Sequence, residues 1–446
     1  MKKLILMLGI IIASSLTLSA QEQSGEKLML TLEQALDIAL SENPTIKVAD
    51  QEIQIKRYAK QGTYAALYPQ IDATATYQRV LAKQTMSMDL GGQTQTIRVG
   101  SDNSFNGGIS AAMPLINAQL WTSLKVSVLD IELAVEKARA SRIDMVEQVT
   151  KAYYGVLLAK ESHALYQRVY DNAVENNKVV KKKYDVGSVS EYDLITSNVS
   201  VQNALPNVIE AEYSVILTLW QLKALLGIDL EKNIDVVGSL MDYERMMNEG
   251  YDITRLNLDN NTTLKQLDIQ EEMLEKAVKI TKLANVPSLS VNAAFLYTAL
   301  GNDGKFFVKD AWNPYSYAGL QLNIPIFAGN KRRAATREAR LNLSNLQLQR
   351  ENVERQLRVS VIQQLNNMQS SVKKYYASAA TVGQAQRGYD ISVKRYEVGR
   401  GTLVDVDNSQ VALTQAELGR NSAIYNFLVA KVSLDKVLGN YEFENR

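Results

Sequence analysis

Few residues of this 446-residue sequence are suited to chemistry. It contains 48 aspartates and glutamates but only one histidine, His163, and no cysteine. One imidazole and no thiol exclude His/Cys metal clusters and most activated nucleophiles. No glycine-rich phosphate loop or nucleophile elbow occurs either, and the carboxylates are spread along predicted helices. We therefore expect neither an enzyme nor a cofactor or metal site.

Two aspartates stand out because each lies in the same short motif. Residues 190–193 (Ser-Glu-Tyr-Asp) and 402–405 (Thr-Leu-Val-Asp) match a capping box that has Asp in place of Glu. Each motif begins three residues after a glycine, Gly187 or Gly399, that is typical of the C′ position of a preceding helix. The pattern predicts two helical hairpins. Helix capping alone would favour an aspartate at positions 193 and 405, without any further role for Asp193 or Asp405.

The two hairpins belong to an internal duplication. Residues 184–227 recur without a gap at 396–439, and 12 of the 44 aligned positions are identical, where unrelated segments would share about three. Upstream, Asn43 and Pro69 correspond to Asn261 and Pro287. Copies of this length indicate duplication of a whole architectural half, since solenoid repeats are much shorter.

Long heptad patterns lead into both hairpins. Apolar or aromatic residues recur every seven positions, and prolines are absent from both stretches, as expected for coiled-coil helices. About 70 helical residues span on the order of 100 Å. The two series are Ile131, Ala138, Met145, Ala152, Ala159, Tyr166, Ala173, Val180 and Val361, Met368, Tyr375, Val382, Tyr389, Tyr396.

Four segments alternate between apolar and polar residues, and each is predicted to be a strand. They lie at about 71–78, 104–113, 289–295 and 318–324. Such segments suit membrane strands with an aromatic girdle, for which the sequence offers Tyr77, Tyr297, Trp312, Tyr315 and Tyr317. A soluble sandwich would look similar locally. Segments rich in Gly, Asn, Asp and Ser, at 91–92, 101–103 and 301–304, predict long exposed loops.

Membrane strands would make the chain an oligomer, because four strands cannot close a barrel of at least about eight. Dimers would supply eight strands and trimers twelve, and the pattern does not choose between them. Residues 1–20 have the order of a secretory signal peptide, and no later stretch suits a transmembrane helix. Without Lys2 and Lys3 the chain has 47 basic and 48 acidic residues, so nucleic acid is not expected as a partner.

The order of these motifs resembles that of TolC-like outer-membrane efflux proteins. A helix leads to a strand hairpin that opens at Tyr68-Pro69 and returns at Pro114, a long helix ends in Tyr-x-Val-Gly, and the whole order repeats, with residues 325–329 (Pro-Ile-Phe-Ala-Gly) entering the second long helix. The resemblance covers residues 30 to 441. It implies two efflux repeats, 30–228 and 252–441, joined by an equatorial connector at 229–251.

The resemblance also implies an assembly. Three copies would form one twelve-stranded barrel in the outer membrane, continued by a tunnel of coiled-coil helices in the periplasm. The expected partners are outer-membrane lipid, a periplasmic adaptor protein and an inner-membrane pump. The duct would pass substrates outward in an efflux or type I secretion system. The competing hypothesis is a coiled-coil envelope scaffold or adhesin without a pore, and the sequence does not identify the substrate.

Family resemblance assigns residues at the hairpin tips to closure of the tunnel. Asp405 matches the first of two inward acidic residues, and Asn408, with Asp407 beside it, stands at the second position. A closure latch of the family is matched by Tyr396 and Asp193. The arginine of that latch is replaced by Gly401, with Arg400 one position earlier.

The tips themselves, Val186-Gly187 and Val398-Gly399, are the expected contacts with the adaptor, and both pairs would also serve as helix-ending turns. His163 lies on the heptad seam, where packing is the expected role. The run Lys181-Lys182-Lys183 near the first tip predicts a solvated patch.

Overall fold

The computed structural model describes residues 27–90, 93–248, 257–302 and 312–441. The predicted signal peptide lies outside these ranges, as do the end of the connector and parts of the loops at 91–92 and 301–304. Seven α-helices occur in the described ranges: α1 (Leu32–Glu42), α2 (Pro44–Ala65), α3 (Ala118–Asp185), α4 (Glu191–Leu226), α5 (Thr262–Leu283), α6 (Lys331–Glu397) and α7 (Leu403–Leu438).

The helices repeat in pairs, which matches the duplicated sequence. The long helices α3 and α6 contain 68 and 67 residues, and the returning helices α4 and α7 contain 36 each. Along the predicted seam of α3, Ala138, Met145, Ala159 and Val180 are buried, and His163 is half-buried. Every helix in the described ranges lacks the long apolar stretch that a membrane span requires.

Eight strands accompany these helices in the described ranges: β1 (Leu28–Leu30), β2 (Gln70–Arg79), β3 (Gln84–Leu90), β4 (Gln93–Val99), β5 (Asn103–Ile116), β6 (Ile234–Val236), β7 (Ser288–Gly301) and β8 (Trp312–Asn323). The chain divides into two compact units. One comprises Met1–Asn43, Met145–Tyr251 and Asn367–Val432, and the other comprises the remainder.

The first unit contains both hairpin tips and the connector. In the connector, β6 pairs in parallel with β1, and a 3₁₀ helix follows at Leu240–Asn248. The Tyr153 hydroxyl on α3 lies 3.2 Å from the carbonyl oxygen of Leu30. Lys160 donates to Asp235 at 3.0 Å. These contacts attach the paired strands β1 and β6 to the long helix.

The second unit contains an antiparallel sheet in the order β2-β5-β7-β8. The central pair, β5 and β7, takes one strand from each half of the duplication. Its register places one apolar face across all four strands, including the row Ile71, Ala111, Ala293, Ala318. The four predicted strands are thereby confirmed, and their alternation is explained by a sheet with one apolar and one polar face.

One sequence prediction about this region is wrong. Tyr315 and Tyr317 pair with Leu296 and Ala294, which places both tyrosines on the polar face, opposite Tyr77, Tyr297 and Trp312. A further hairpin, β3–β4, was not predicted; it flanks residues 91–92, and in it Met86 lies opposite Ile97. Its β-branched and apolar residues at alternate positions favour strands.

Each returning helix ends against the helix that starts its own half of the duplication. The Asn43 side chain donates to the carbonyl oxygen of Leu225 at 2.7 Å, and the Asn261 side chain donates to that of Val437 at 2.7 Å. Both helices end in a left-handed glycine, Gly227 and Gly439, with φ of 70° and 69°. The asparagines that mark the sequence repeat therefore make the same contact twice.

Candidate functional site: the helical hairpin tips

The two long helices end in the same Schellman motif. Gly187 and Gly399 adopt φ of 70° and 73°, as predicted. The Gly187 N–H donates to the Tyr184 carbonyl and the Ser188 N–H donates to the Lys183 carbonyl, both at 2.8 Å. The second tip repeats this pattern one duplication later. These bonds satisfy helix-end carbonyls that would otherwise lack partners.

Both returning helices begin with the predicted capping boxes. The Asp193 carboxylate accepts from the Ser190 N–H at 3.1 Å, and the Asp193 N–H donates to the Ser190 hydroxyl oxygen at 3.2 Å. Thr402 and Asp405 make the same reciprocal pair at 3.0 and 3.1 Å. The two aspartates are therefore held by the local backbone, at the start of α4 and α7.

The three residues assigned to the constriction lie in different surroundings. Asp405 and Asn408 are exposed, and Asp407 is half-buried. Hydrogen bonds from the Thr402 backbone and side chain lower the pKa of Asp405. Burial raises the pKa of Asp407, although the Ser200 hydroxyl donates to its carboxylate at 2.7 Å. Asp407 thus links α7 to α4, whereas the other two face solvent in the single chain.

Two of the three latch residues, Tyr396 and Asp193, are close to each other but are not joined by a hydrogen bond. The Tyr396 hydroxyl is buried and has no hydrogen-bond partner within the described residues. Its pKa is raised by burial and then by the nearby charge of Asp193. The Arg400 side chain is exposed and makes no hydrogen bond or ion pair with the described part of the chain. The structure therefore brings Tyr396 and Asp193 together but leaves Arg400 apart.

Lys183 makes a contact between the hairpins that the sequence did not predict. Its ammonium group donates to the carbonyl oxygens of Tyr396 and Glu397, each at 3.3 Å, and lies 4.7 Å from the centre of the Tyr396 ring. Lys181 and Lys182 are exposed. The prediction of a solvated patch at this lysine run is therefore wrong for Lys183, which caps the end of α6.

Further polar contacts join the first hairpin to the second. The Asn172 amide donates to the Gln410 side chain at 3.3 Å, and the Arg168 guanidinium donates to Glu417 at 2.8 Å. Each contact joins α3 to α7. Sequence reasoning missed these pairs because their members are more than 200 residues apart.

The tips carry exposed apolar side chains. Val186 is 78% exposed and Val398 is 69% exposed. A β-carbon added at Gly187 or Gly399 would meet no atom within 4 Å. Across residues 27–90, 93–248, 257–302 and 312–441, no three His, Asp or Glu side chains are grouped so as to hold a metal ion.

Comparisons with known proteins place this arrangement in context. The family model described as outer membrane efflux protein matches residues 35–228 and 254–440. The alkaline protease secretion protein AprF of Pseudomonas aeruginosa is 23% identical over 396 residues, which cover 88% of this chain and 81% of AprF. The outer membrane protein TolC of Vibrio cholerae is 20% identical over 376 residues, covering 84% of this chain and 83% of TolC.

A solved structure shows the same fold. The CmeC outer membrane channel of Campylobacter jejuni superposes with a TM-score of 0.74 at 19% sequence identity, covering 92% of this chain and 85% of CmeC.

Proposed function

This chain belongs to the family of outer membrane efflux proteins, and we propose that three copies of it form the exit duct of a tripartite export system. As a member of that family it is a transport protein of the outer membrane and not an enzyme. In the proposed system, an inner-membrane pump and a periplasmic adaptor deliver the substrate to the duct. The two matched segments, 35–228 and 254–440, support our proposal of two efflux repeats at 30–228 and 252–441, joined by a connector at 229–251.

The observation that carries the proposal is the sheet of β2, β5, β7 and β8. One of its faces is apolar, and the backbones of its two outer strands, β2 and β8, have no further strand beside them in the described sheet. Open strand edges are not tolerated in lipid, because unpaired N–H and C=O groups have no water to bind. Pairing β8 of one copy with β2 of the next closes twelve strands in a trimer.

We place the periplasmic constriction at the start of α7. Asp405 of each copy would face its symmetry mates, with Asn408 one turn further along the helix and Asp407 holding α7 against α4. A ring of carboxylates attracts cations, as in cation channels. Tyr396 and Asp193 would form the closure latch, whose hydroxyl lacks a partner in the described part of the single chain. Arg400 would contribute only by reaching a neighbouring copy.

We place the adaptor contact at Val186-Gly187 and Val398-Gly399. Burying exposed valines against the helical tips of an adaptor would remove apolar surface from water. The glycines leave the approach open, since a β-carbon at either position would have no atom within 4 Å. In this proposal the pump and adaptor that assemble with the duct determine the substrate class.

Detergent extraction tests this proposal against the alternative of an envelope scaffold or adhesin. We expect the protein to stay with outer membranes after a high-salt wash and to be released by detergent as a trimer, measured by mass. Release by salt alone would support the scaffold. A monodisperse monomer or dimer in detergent would rule out the twelve-stranded barrel.

A further inference from the structure

The apolar face of the four-stranded sheet contains a groove with aromatic walls, which we call the aromatic groove. Its volume is about 740 Å³, within the range of about 300–1,000 Å³ that is usual for ligand pockets. The groove lies over β5, β7 and the start of β8, and it is lined by Gly107, Gly108, Ile109, Phe295, Tyr297 and Trp312. It therefore opens onto the face that the proposed barrel turns to lipid.

The floor of the aromatic groove is a glycine. Gly107 lies opposite Tyr297 on β7 and opposite Ala75 on β2. A β-carbon at Gly107 would have as its nearest neighbours the Phe105 ring at 3.4 Å and the Thr74 carbonyl oxygen at 3.6 Å, which are ordinary contacts. A side chain would thus fit at position 107, and the groove exists because residue 107 has none.

The walls of the aromatic groove hold one another in place. Phe105 and Trp312 pack edge to face with ring centroids 4.9 Å apart, and Ala299, which lies between them in the strand register, is 0% exposed. Tyr297 packs in the same way against Phe295 at 5.2 Å. Such pairs are favourable beyond the area they bury. The rings are therefore fixed by each other and leave the groove open.

A groove in a lipid-facing surface requires an apolar occupant. Empty space would deprive the lining atoms of dispersion contacts, and a water molecule needs two to four polar partners, which mainly apolar walls do not supply. A neighbouring copy cannot fill the groove, because the proposed barrel joins copies at β2 and β8 and the floor lies on β5. An acyl chain of the surrounding membrane meets these conditions.

A cation stands at the end of the same face. Arg79 on β2 follows Ala75 and Tyr77 at alternate positions, so the three side chains share one side of the sheet. Arg79 is exposed and makes no hydrogen bond or ion pair with the described residues. It lies opposite Asn103, four residues before Gly107, which places it about 13 Å along the strands from the floor of the groove.

The charge of Arg79 matches a phosphate. A guanidinium binds phosphate oxygens through paired, charge-assisted hydrogen bonds. β2 begins after α2 and ends at Arg79, so with the helices in the periplasm Arg79 lies at the outer leaflet. The distance of about 13 Å to the groove is shorter than an extended acyl chain. One phosphate-bearing lipid can therefore reach both places.

We propose that each copy binds one phosphate-bearing lipid of the outer leaflet, with an acyl chain in the aromatic groove and the headgroup phosphate on Arg79. This site rests on the proposed barrel, which turns the apolar face to the membrane, and it goes beyond the barrel by selecting one lipid class at one place. The neighbouring apolar surface, where no glycine opens a groove, contacts lipid without selecting it.

Native mass spectrometry of the full-length trimer in detergent, titrated with lipid A, tests the site. Wild-type trimers should bind up to three molecules, one per copy. Gly107→Leu fills the groove and Arg79→Gln removes the charge, and each should raise the apparent Kd about ten-fold or more. Two matched controls should bind like the wild type: Ala318→Leu, exposed on the same face, and Arg98→Gln, an exposed arginine on β4.

Each part of the site can be refuted separately. An unchanged Kd in trimers of Gly107→Leu would overturn the groove as the seat of the chain, and an unchanged Kd in Arg79→Gln would overturn the headgroup contact. Displacement of lipid A by inorganic phosphate at equal concentration would mean that Arg79 binds free anions, and would overturn the lipid. Should Gly107→Leu not form trimers, Ile109→Trp narrows the groove from its wall and replaces that variant in the comparison.

The outcomes also separate this site from the proposed function. Trimers that conduct ions and bind lipid A equally in the wild type and all variants would overturn the lipid site and leave the duct intact. Wild-type protein that is not trimeric in detergent would overturn both.

Discussion

Replacing Asp405 by asparagine separates its proposed charge in the constriction from its part in the helix cap. The asparagine keeps a side-chain oxygen that can accept from the Thr402 N–H, where the carboxylate now accepts at 3.0 Å. The cap is thereby retained, while each copy loses one negative charge at the proposed ring. Because hydrogen bonds from Thr402 lower the pKa of Asp405, the wild-type residue is charged at neutral pH.

Thr402→Ala is the converse change. It removes the hydroxyl oxygen that accepts from the Asp405 N–H at 3.1 Å and leaves the carboxylate in place. Loss of such a cap costs about 0.5–2 kcal/mol, and a cost of about 1 kcal/mol lowers the ratio of ordered to frayed first turn about five-fold. The charge stays, so the fields acting on permeating ions should change little.

Reversal potentials in planar bilayers under a salt gradient distinguish the two roles. We expect Asp405→Asn to lose much of the cation selectivity and the block by multivalent cations, with the trimer unchanged. Thr402→Ala should keep both properties and show noisier conductance. Wild-type selectivity in the Asp405→Asn channel would refute the constriction and leave the residue as a helix cap only.

Three further predictions concern the hairpins and their ends. Burial raises the pKa of Asp407, so packing of the hairpins should strengthen as pH falls through the raised pKa and weaken above it. Asp407→Asn should therefore lower the conductance of the channel at neutral pH and remove the dependence of that conductance on acid. The control Asp390→Asn, at an exposed position, should do neither. Gly399→Asn keeps a residue that tolerates positive φ but adds a side chain at the tip, so export and adaptor cross-linking should fall while the trimer stays intact. Normal export would mean that the tip is only a helix-ending turn and does not contact the adaptor. Gly439→Ala places a β-carbon against the Asn260 carbonyl oxygen at φ of 69°, so it should cost more than the ~1–2 kcal/mol of left-handed strain alone. Gly62→Ala, in an open helical site, should stabilise the protein by about 0.5–1 kcal/mol; thermal unfolding measures both.

Local signals explain why the hairpin ends could be predicted from the sequence. A glycine at C′ followed by Ser or Thr and then Asp three residues on fixes a helix end and a helix start within seven residues. Both tips have this geometry. The strands of the sheet could be predicted equally well from the sequence, because the pleat sets an alternation of side chains with a period of two.

Contacts between hairpins could not be predicted, because they depend on which helix faces meet. Ser200 and Asp407 are 207 positions apart, and their repeat counterparts, Ala412 and Ile195, give no polar signal. The lysine run at 181–183 is ambiguous for a similar reason. Three consecutive residues point to widely separated directions around a helix, and only the packing of α6 selects Lys183.

The sheet shows a different limit. Glycines at 91–92 favour a loop, although Met86, Met88, Ile97 and Val99 already alternate on either side of them. Residue type alone places Tyr315 and Tyr317 in an aromatic girdle. Their side of the sheet depends on the register with β7, which a single strand does not contain.

Ion conductance of the purified wild-type protein in planar lipid bilayers tests the central claim most directly. A duct predicts discrete, long-lived conductance steps, with cation selectivity from the carboxylates at the periplasmic end. Trimeric protein that inserts into the bilayer and conducts no ions at any voltage or pH would contradict the assignment of this chain as an export duct.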